Sequence, residues 1–335
     1  MHMTLLILTF YDSSAGALKR AGLADCVIPF GLNFVWGWLP SPGELATSLS
    51  SRSAMRGAST SHWLYNLTGS HFEDARRDGL GLIEFCETFD AVELWVDPDP
   101  NAQLQMIWLL DYLCRHAKAS LNIALVQADV VIGSHPPEEV ARWQLPTIKI
   151  LNDHLETAGA AWQAYRASTP QDWFDLLGKD LSVLPQLRQT VLELLEELPA
   201  DKTGLGATEM RMLELISAGN AGPPDLFPGH EKRNKRRVFG YWEIGSLLDG
   251  LAHCPAPAVS GLDEGPFTEE MHVDRDRHQR YKQSKLKLTA LGETVLAGSD
   301  DFSRHNPIHR WWGGTELTND RLWRWDPTNR ALIEP

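Results

Sequence analysis

The sequence has no cysteine pair at CxxC spacing; Cys26, Cys86, Cys114 and Cys254 are scattered. Structural zinc and dithiol redox chemistry are therefore not indicated, and buried, reduced thiols in a cytoplasmic protein are the simplest reading. Nor is there an uninterrupted apolar run of about twenty residues, the length a membrane helix needs. The uncharged stretch from Cys26 to Gly43 is broken by Pro29, Gly31, Asn33, Gly37, Pro40 and Pro42. MHMTLLILTFYDSS lacks a basic start and a small-residue cleavage site, so it reads as a first strand rather than a signal peptide. GxGxxG and GxxxxGK[ST] are both missing, which argues against a conventional dinucleotide or P-loop site. No histidine spacing suggests a metal site: His305 and His309 are four apart, but Pro307 between them breaks a shared helical face. A nucleophile elbow is missing as well, so no Ser-His-Asp triad can be drawn. Positive charge is also short. The net charge of −13 disfavours nonspecific attraction of the whole chain to nucleic acid or anionic membrane, though not a local basic face.

What is present suits a globular chain of two or three domains: 335 residues, 43% hydrophobic and 22% charged. Residues 1–135 alternate strand and helix signals. LLILTF, CVIPF, AVELWV and LNIALV are short apolar runs, with helical spacing in SSAGALKRAGL and NAQLQMIWLLDYLCRHA between them. That alternation predicts an α/β domain, a Rossmann-like parallel sheet buried on both faces. Residues 136–200 show helical periodicity and no good strand, and read as a helical connector. Residues 201–335 begin with the helix ATEMRMLELISAG, with Thr208 as its cap, and continue with YWEIGSLLDGLAH. Two strands, around EEMHV and KLKL, and then a strand running into a helix at LTALGETVLAG complete a winged-helix-like pattern.

The end of the chain, RWWGGTELTNDRLWRWD, holds four tryptophans in seventeen residues. Two short strands joined by TND are expected, with Trp323 and Trp325 on one face and a bulge or close approach at Gly313-Gly314. A small domain lacks core, so an aromatic lid is favoured over a binding face.

These C-terminal pieces, together with YDSSAGALKRAGL, ELWVDPDPNAQLQ, GLGATEMRMLELI and LTALGETVLAG, carry a resemblance over most of the chain. The chain resembles a bacterial two-domain family of uncharacterised proteins, a domain of unknown function. Its members pair a Gly-Asp-Ser-like strand-turn-helix with an RWxGG…WRWD ending. That family favours Asn-Gly before the aspartate, where this chain has Phe10-Tyr11-Asp12, and acidic residues where Asn33 and Ala102 stand. The resemblance implies no established reaction.

Candidate ligand-binding residues are Asp12, Ser13, Asn33, Asp97, Asp99 and Gln103. Asp12-Ser13-Ser14 follows the first strand and opens a helix, where ligands and anions collect in doubly wound sheets; the alternative is that Asp12 or Ser13 merely caps the helix. Asp97 and Asp99 follow the third strand and can hold a metal or act as acid and base, although Asp99-Pro100 is also a well-formed helix start. Asn33, Trp36 and Trp38 lie in an aromatic loop that can wall a pocket, form an oligomer contact or pack on itself. Lys232, Arg233, Lys235, Arg236 and Arg237 form the dense basic run and are the nucleic-acid candidates, with a solvated loop as the alternative; RDRHQRYKQSKLK is a looser one. Two readings follow. One is a cytoplasmic ligand-sensing or regulatory protein, with a small-molecule ligand and a DNA or protein partner for its C-terminal domain. The other is an enzyme acting on a small phosphorylated or nucleotide-like molecule in the N-terminal cleft.

Overall fold

The computed structural model describes residues 3–50, 80–116, 121–227 and 238–335, and the chain divides into two compact units. The sequence reading places boundaries at 135 and 200. The contacts divide the chain differently: unit 1 holds 1–34, 39–166 and 176–190, and unit 2 holds 35–38, 167–175 and 191–335.

Unit 1 is built on β1 (Leu5–Thr9), β2 (Cys26–Pro29), β3 (Ala91–Val96), β4 (Ile123–Gln127) and β5 (Thr147–Lys149), in the order β2-β1-β3-β4-β5. The first four strands run parallel, and β5 joins β4 antiparallel. Its helices are α1 (Asp12–Arg20), α2 (Pro42–Ser48), α3 (Leu82–Cys86), α4 (Pro100–His116), α5 (Pro137–Val140) and α6 (Asn152–Tyr165). The strands are apolar because both faces are covered. Ile7, Val27, Trp95 and Val126 pack with Ala15 and Leu18 of α1, while the alternate residues Leu6, Leu8, Leu94 and Val96 are equally buried on the other face. α4 explains its own sequence. Every residue from Asn101 to Leu110 is buried, and α6 packs along it, so the helix is apolar nearly all round. Asp99 caps it, accepting a hydrogen bond from Ala102 N at 3.1 Å, and Arg115 and His116 occupy its last turn.

β5 corrects the expectation of a connector without strands. A three-residue strand with one half-buried residue, Ile148, leaves almost no apolar pattern; its pairing with β4 makes it a strand. The thiols also depart from expectation. Cys86 is buried, but Cys114 is exposed and Cys26 and Cys254 are half-buried.

Unit 2 contains α7 (Gln171–Asp175), α9 (Ala207–Ser217), α10 (Tyr241–Ala252), α11 (Glu269–Val273), α12 (Arg275–Gln283) and α13 (Ala290–Leu296); α8 (Leu187–Leu195) is divided between the units at Thr190. Its core gathers Met212, Leu213 and Ile216 of α9, Ile244, Leu248 and Leu251 of α10, Met271, Tyr281 and Val295. β6 (Val259–Ser260) pairs antiparallel with β7 (Lys287–Leu288). EEMHV, expected as a strand, is helix α11. Thr268 caps it through Met271 N, Glu269 and Glu270 suit its positive end, and only Met271 turns inward. Thr208 is not the cap of α9 either. Gly206 holds that position, and the Thr208 hydroxyl donates to Glu197 Oε1 at 2.6 Å.

The tryptophan-rich end forms two hairpins rather than one. β8 (His309–Trp312) and β9 (Thr315–Thr318) turn at Gly313-Gly314; β10 (Arg324–Asp326) pairs with β11 (Ala331–Ile333). A two-residue hairpin loop demands positive φ, and Gly313 supplies it at 54°, so the glycines make a turn and not a bulge. Trp312 and Trp325 are buried; Trp323 lies before β10 and is only half-buried, contrary to the expectation that it shares Trp325's burial. Trp312 donates its indole N–H to Leu194 O at 2.8 Å and meets Trp173 edge-on, and Trp325 meets Phe174 in the same way. Arg310 pairs with Glu209 at 2.9 Å and Arg324 with Asp301 at 2.8 Å, so these two arginines of the ending serve the fold. Among the described residues, no helix is long and apolar enough to cross a membrane.

Candidate functional site

The order β2-β1-β3-β4-β5 reverses direction between β1 and β3. At such a point the segments leaving two adjacent strands diverge, and ligands of doubly wound sheets bind beside the strands' carboxyl ends. β1 delivers Tyr11 to Ser14 to this edge and β3 delivers Asp97 to Gln103. Asp12 and Asp97 thus leave the sheet at the same edge, from neighbouring parallel strands.

Asp97 has no exposed surface. It accepts from Ile132 N at 2.7 Å and from the Ser14 hydroxyl at 2.9 Å. Burial disfavours its charge and the neighbouring Asp99 adds to that effect; the two hydrogen bonds oppose both, and the carboxyl is held up at about 6. Asp99 is also raised by burial, against the bonds it accepts from Tyr11 and Ala102. The Tyr11 hydroxyl donates to Asp99 at 2.5 Å, and burial together with the Asp99 charge pushes its own ionisation upward. Gln103, fully buried, donates to the Asp97 carbonyl and to Gln186 and accepts from Gln127, each at 2.9 Å.

Of the residues named from sequence, Asp97, Asp99 and Gln103 come together. Asp12 and Ser13 stand exposed at the start of α1, and neither caps it: the cap position is Tyr11, which makes no side-chain cap bond. Asn33 is exposed in the loop after β2, and Asn101 holds that loop on either side of it. Asn101 accepts from Phe34 N at 2.8 Å and donates to Leu32 O at 2.9 Å. Sequence reasoning missed Tyr11 and Asn101, and it named Ser14 only as part of the segment Asp12-Ser13-Ser14. Their signal was faint: polar residues inside the first turns of two helices otherwise read as cap positions. Trp36 meets Phe239, ring centroids 5.7 Å apart, within unit 2.

The chemistry of this edge follows from its charges. Two carboxyls and a phenol, with amides around them, suit hydrogen-bond donors and cations better than phosphate, and Asp97 and Gln103 are fully buried among the partners named above. None of the bonds above comes from Lys or Arg. Thr9 Oγ1, Gln105 Nε2 and Gln127 Oε1 are buried without a hydrogen-bond partner among the described residues. Among those residues there is also no group of three or more side chains suited to a metal.

In unit 2, α12 presents a second polar surface. Asp274 closes α11 and caps α12, accepting from Asp276 N and Arg277 N at 3.1 Å. Tyr281 anchors the helix in the core, and Arg275, Gln279, Lys282 and Gln283 are exposed on the opposite side. Arg277 and Arg280 pair with Glu264. Lys232, Arg233, Lys235, Arg236 and Arg237 lie outside the described residues. The chain matches no protein-family model and no curated protein.

Proposed function

We propose that the chain is a ligand-sensing regulatory protein: unit 2 acts as a winged-helix module on nucleic acid, and unit 1, Rossmann-like, receives a small polar molecule at the β1/β3 edge. The observation that carries this reading is α12. The succession α10, β6, α11, α12, β7 supports the reading as far as the helix pair, whose second helix would enter the major groove, although β7 runs into α13 and not into a further wing strand. In this reading α12 is the recognition helix. Arg275 and Lys282 suit phosphates or guanine edges, and Gln279 and Gln283 suit adenine. The family resemblance of the RWWGG…WRWD ending, and a cytoplasmic setting, belong to the same proposal.

Fluorescence anisotropy with a labelled duplex of mixed sequence tests it. Binding is expected at low salt, weakening steeply as salt rises because phosphate contacts release counterions. Replacing Arg275 and Lys282 by alanine should lower both the affinity and the salt slope. No binding by the parent at low salt would overturn the nucleic-acid reading.

One observation favours a second reading, an enzyme at the sheet edge. Asp97 and Asp99 lie together at the β1/β3 strand ends, tied to Ser14 and Tyr11, and burial raises both carboxyls, the first to about 6. The acidic surroundings favour a neutral or cationic, nucleoside-like substrate over a phosphorylated one. Proton-coupled turnover of such a molecule, abolished by Asp97→Asn, would support this reading.

A further inference from the structure

Tyr241 and Trp242 open α10, and 41% and 42% of their respective surfaces are exposed. His272 of α11 meets both rings, at 5.7 and 5.6 Å between centroids, and lies 4.2 Å from His278 of α12. His278 Nε2 stands 3.4 Å from the Tyr241 hydroxyl. A continuous ring surface therefore runs from α10 across α11 to the flank of α12.

Core packing accounts for Tyr241, which rests on Phe227 and Phe267. It accounts less well for Trp242. The rings that meet its indole do so at 83°, 62° and 51°, so none of them stacks flat on it. An exposed indole with no parallel neighbour can take up a flat π-system.

The chain past His278 is cationic, and Lys282 stands one turn beyond that histidine on α12. From Arg277 to Gly292 there are five Lys or Arg and no Asp or Glu. Glu264 engages Arg277 and Arg280, while Lys282, Lys285 and Lys287 are exposed. The acids Glu269, Glu270, Asp274 and Asp276 lie earlier, along α11 and the first turn of α12. Aromatic rings bordered by cations are the combination that binds single strands: bases stack on the rings and phosphates follow the charges. A duplex hides its base faces in its own stack and gains little from the rings.

We infer that Tyr241, Trp242, His272 and His278 form a stacking platform for unpaired bases of a single-stranded nucleic acid, whose phosphates are held by Lys282, Lys285 and Lys287. The inference rests on the reading of unit 2 as a nucleic-acid-binding module and names a strand that the major-groove face of α12 does not require.

The test compares a fluorescein-labelled oligothymidylate with a labelled hairpin duplex, measured by anisotropy on the full chain. Trp242→Leu keeps apolar bulk and removes the π-face; Trp242→Phe restores a ring. The leucine variant should bind the single strand about ten- to a hundredfold more weakly, the loss of one stacked base, and the phenylalanine variant should recover most of it. Duplex affinity should stay close to the parent's in both. Equal single-strand binding by parent and Trp242→Leu overturns the platform, and so does a parent that binds only duplex, which leaves the α12 reading standing. Single-strand binding that depends on Trp242, without duplex binding, keeps the platform and removes the major-groove reading. Failure of both probes at low salt overturns the two together.

Discussion

Replacing Asp97 with asparagine removes a titrating proton from the sheet edge and keeps the shape of the side chain. The parent carboxyl is held at about 6 against an ordinary 3.8. A displacement of about two units corresponds to about 3 kcal/mol of preference for the neutral form. The sign follows from proton binding. The native state keeps this proton where the unfolded chain has already released it, so the stabilising contribution is complete below about pH 4. It is lost as pH rises through 6. Asparagine is neutral throughout and loses nothing over that range. Its carbonyl can still accept from Ile132 N, but the Ser14 hydroxyl must turn to accept from the new amide, a change worth about 1 kcal/mol at most. Asp97→Asn should therefore match the parent near pH 4 and exceed its stability by roughly 2 kcal/mol near pH 7. Hydrogen exchange at the amides of β3, followed across that pH range, reads the opening of unit 1 without interference from unit 2. A variant less stable by the same amount at every pH would refute the reasoning. It would mean that the two hydrogen bonds outweigh burial and that Asp97 titrates as an ordinary carboxylate.

Trp325→Ala should cost unit 2 about 3–5 kcal/mol, because its indole is buried against Phe174, whereas half-buried Trp323→Ala should cost clearly less; thermal melts of the two variants check the ranking. Arg310→Met leaves Glu209 without its ion-pair partner and should lower the melting temperature of unit 2, while Glu209→Gln in the same background should recover part of the loss. Gly292→Ala drives a methyl into the Ala258 carbonyl oxygen and should destabilise unit 2 by roughly 1–3 kcal/mol, read by chemical denaturation; a neutral result would mean that the α13 contact is looser than described.

The strands of unit 1 were legible because each is an apolar run buried on both faces, a pattern that survives in the sequence as LLILT or AVELWV. The start of α4 was legible for a local reason: Asp99-Pro100 encodes a cap and a first turn without help from the rest of the chain. β5 and α11 were not legible. Each is short and holds a single inward residue, Ile148 or Met271, so neither leaves a period to read. The candidate site divides in the same way. Asp97, Asp99 and Gln103 are visible as polar residues after a strand. Ser14 and Tyr11 become part of it only because β1 lies beside β3.

Local chemistry, then, determined on its own where α4 begins and that this chain alternates strands with helices at its start. Those properties depend on neighbours within a turn or two. Which tryptophans are buried, that Gly313-Gly314 turns a hairpin, and that Arg310 and Arg324 find Glu209 and Asp301 were decided by tertiary structure. So was the placing of Ser14 on Asp97, residues 83 apart in sequence. The pairing of β1 with β3 sets that contact, and strand order is a property of the whole sheet that no short stretch of sequence encodes.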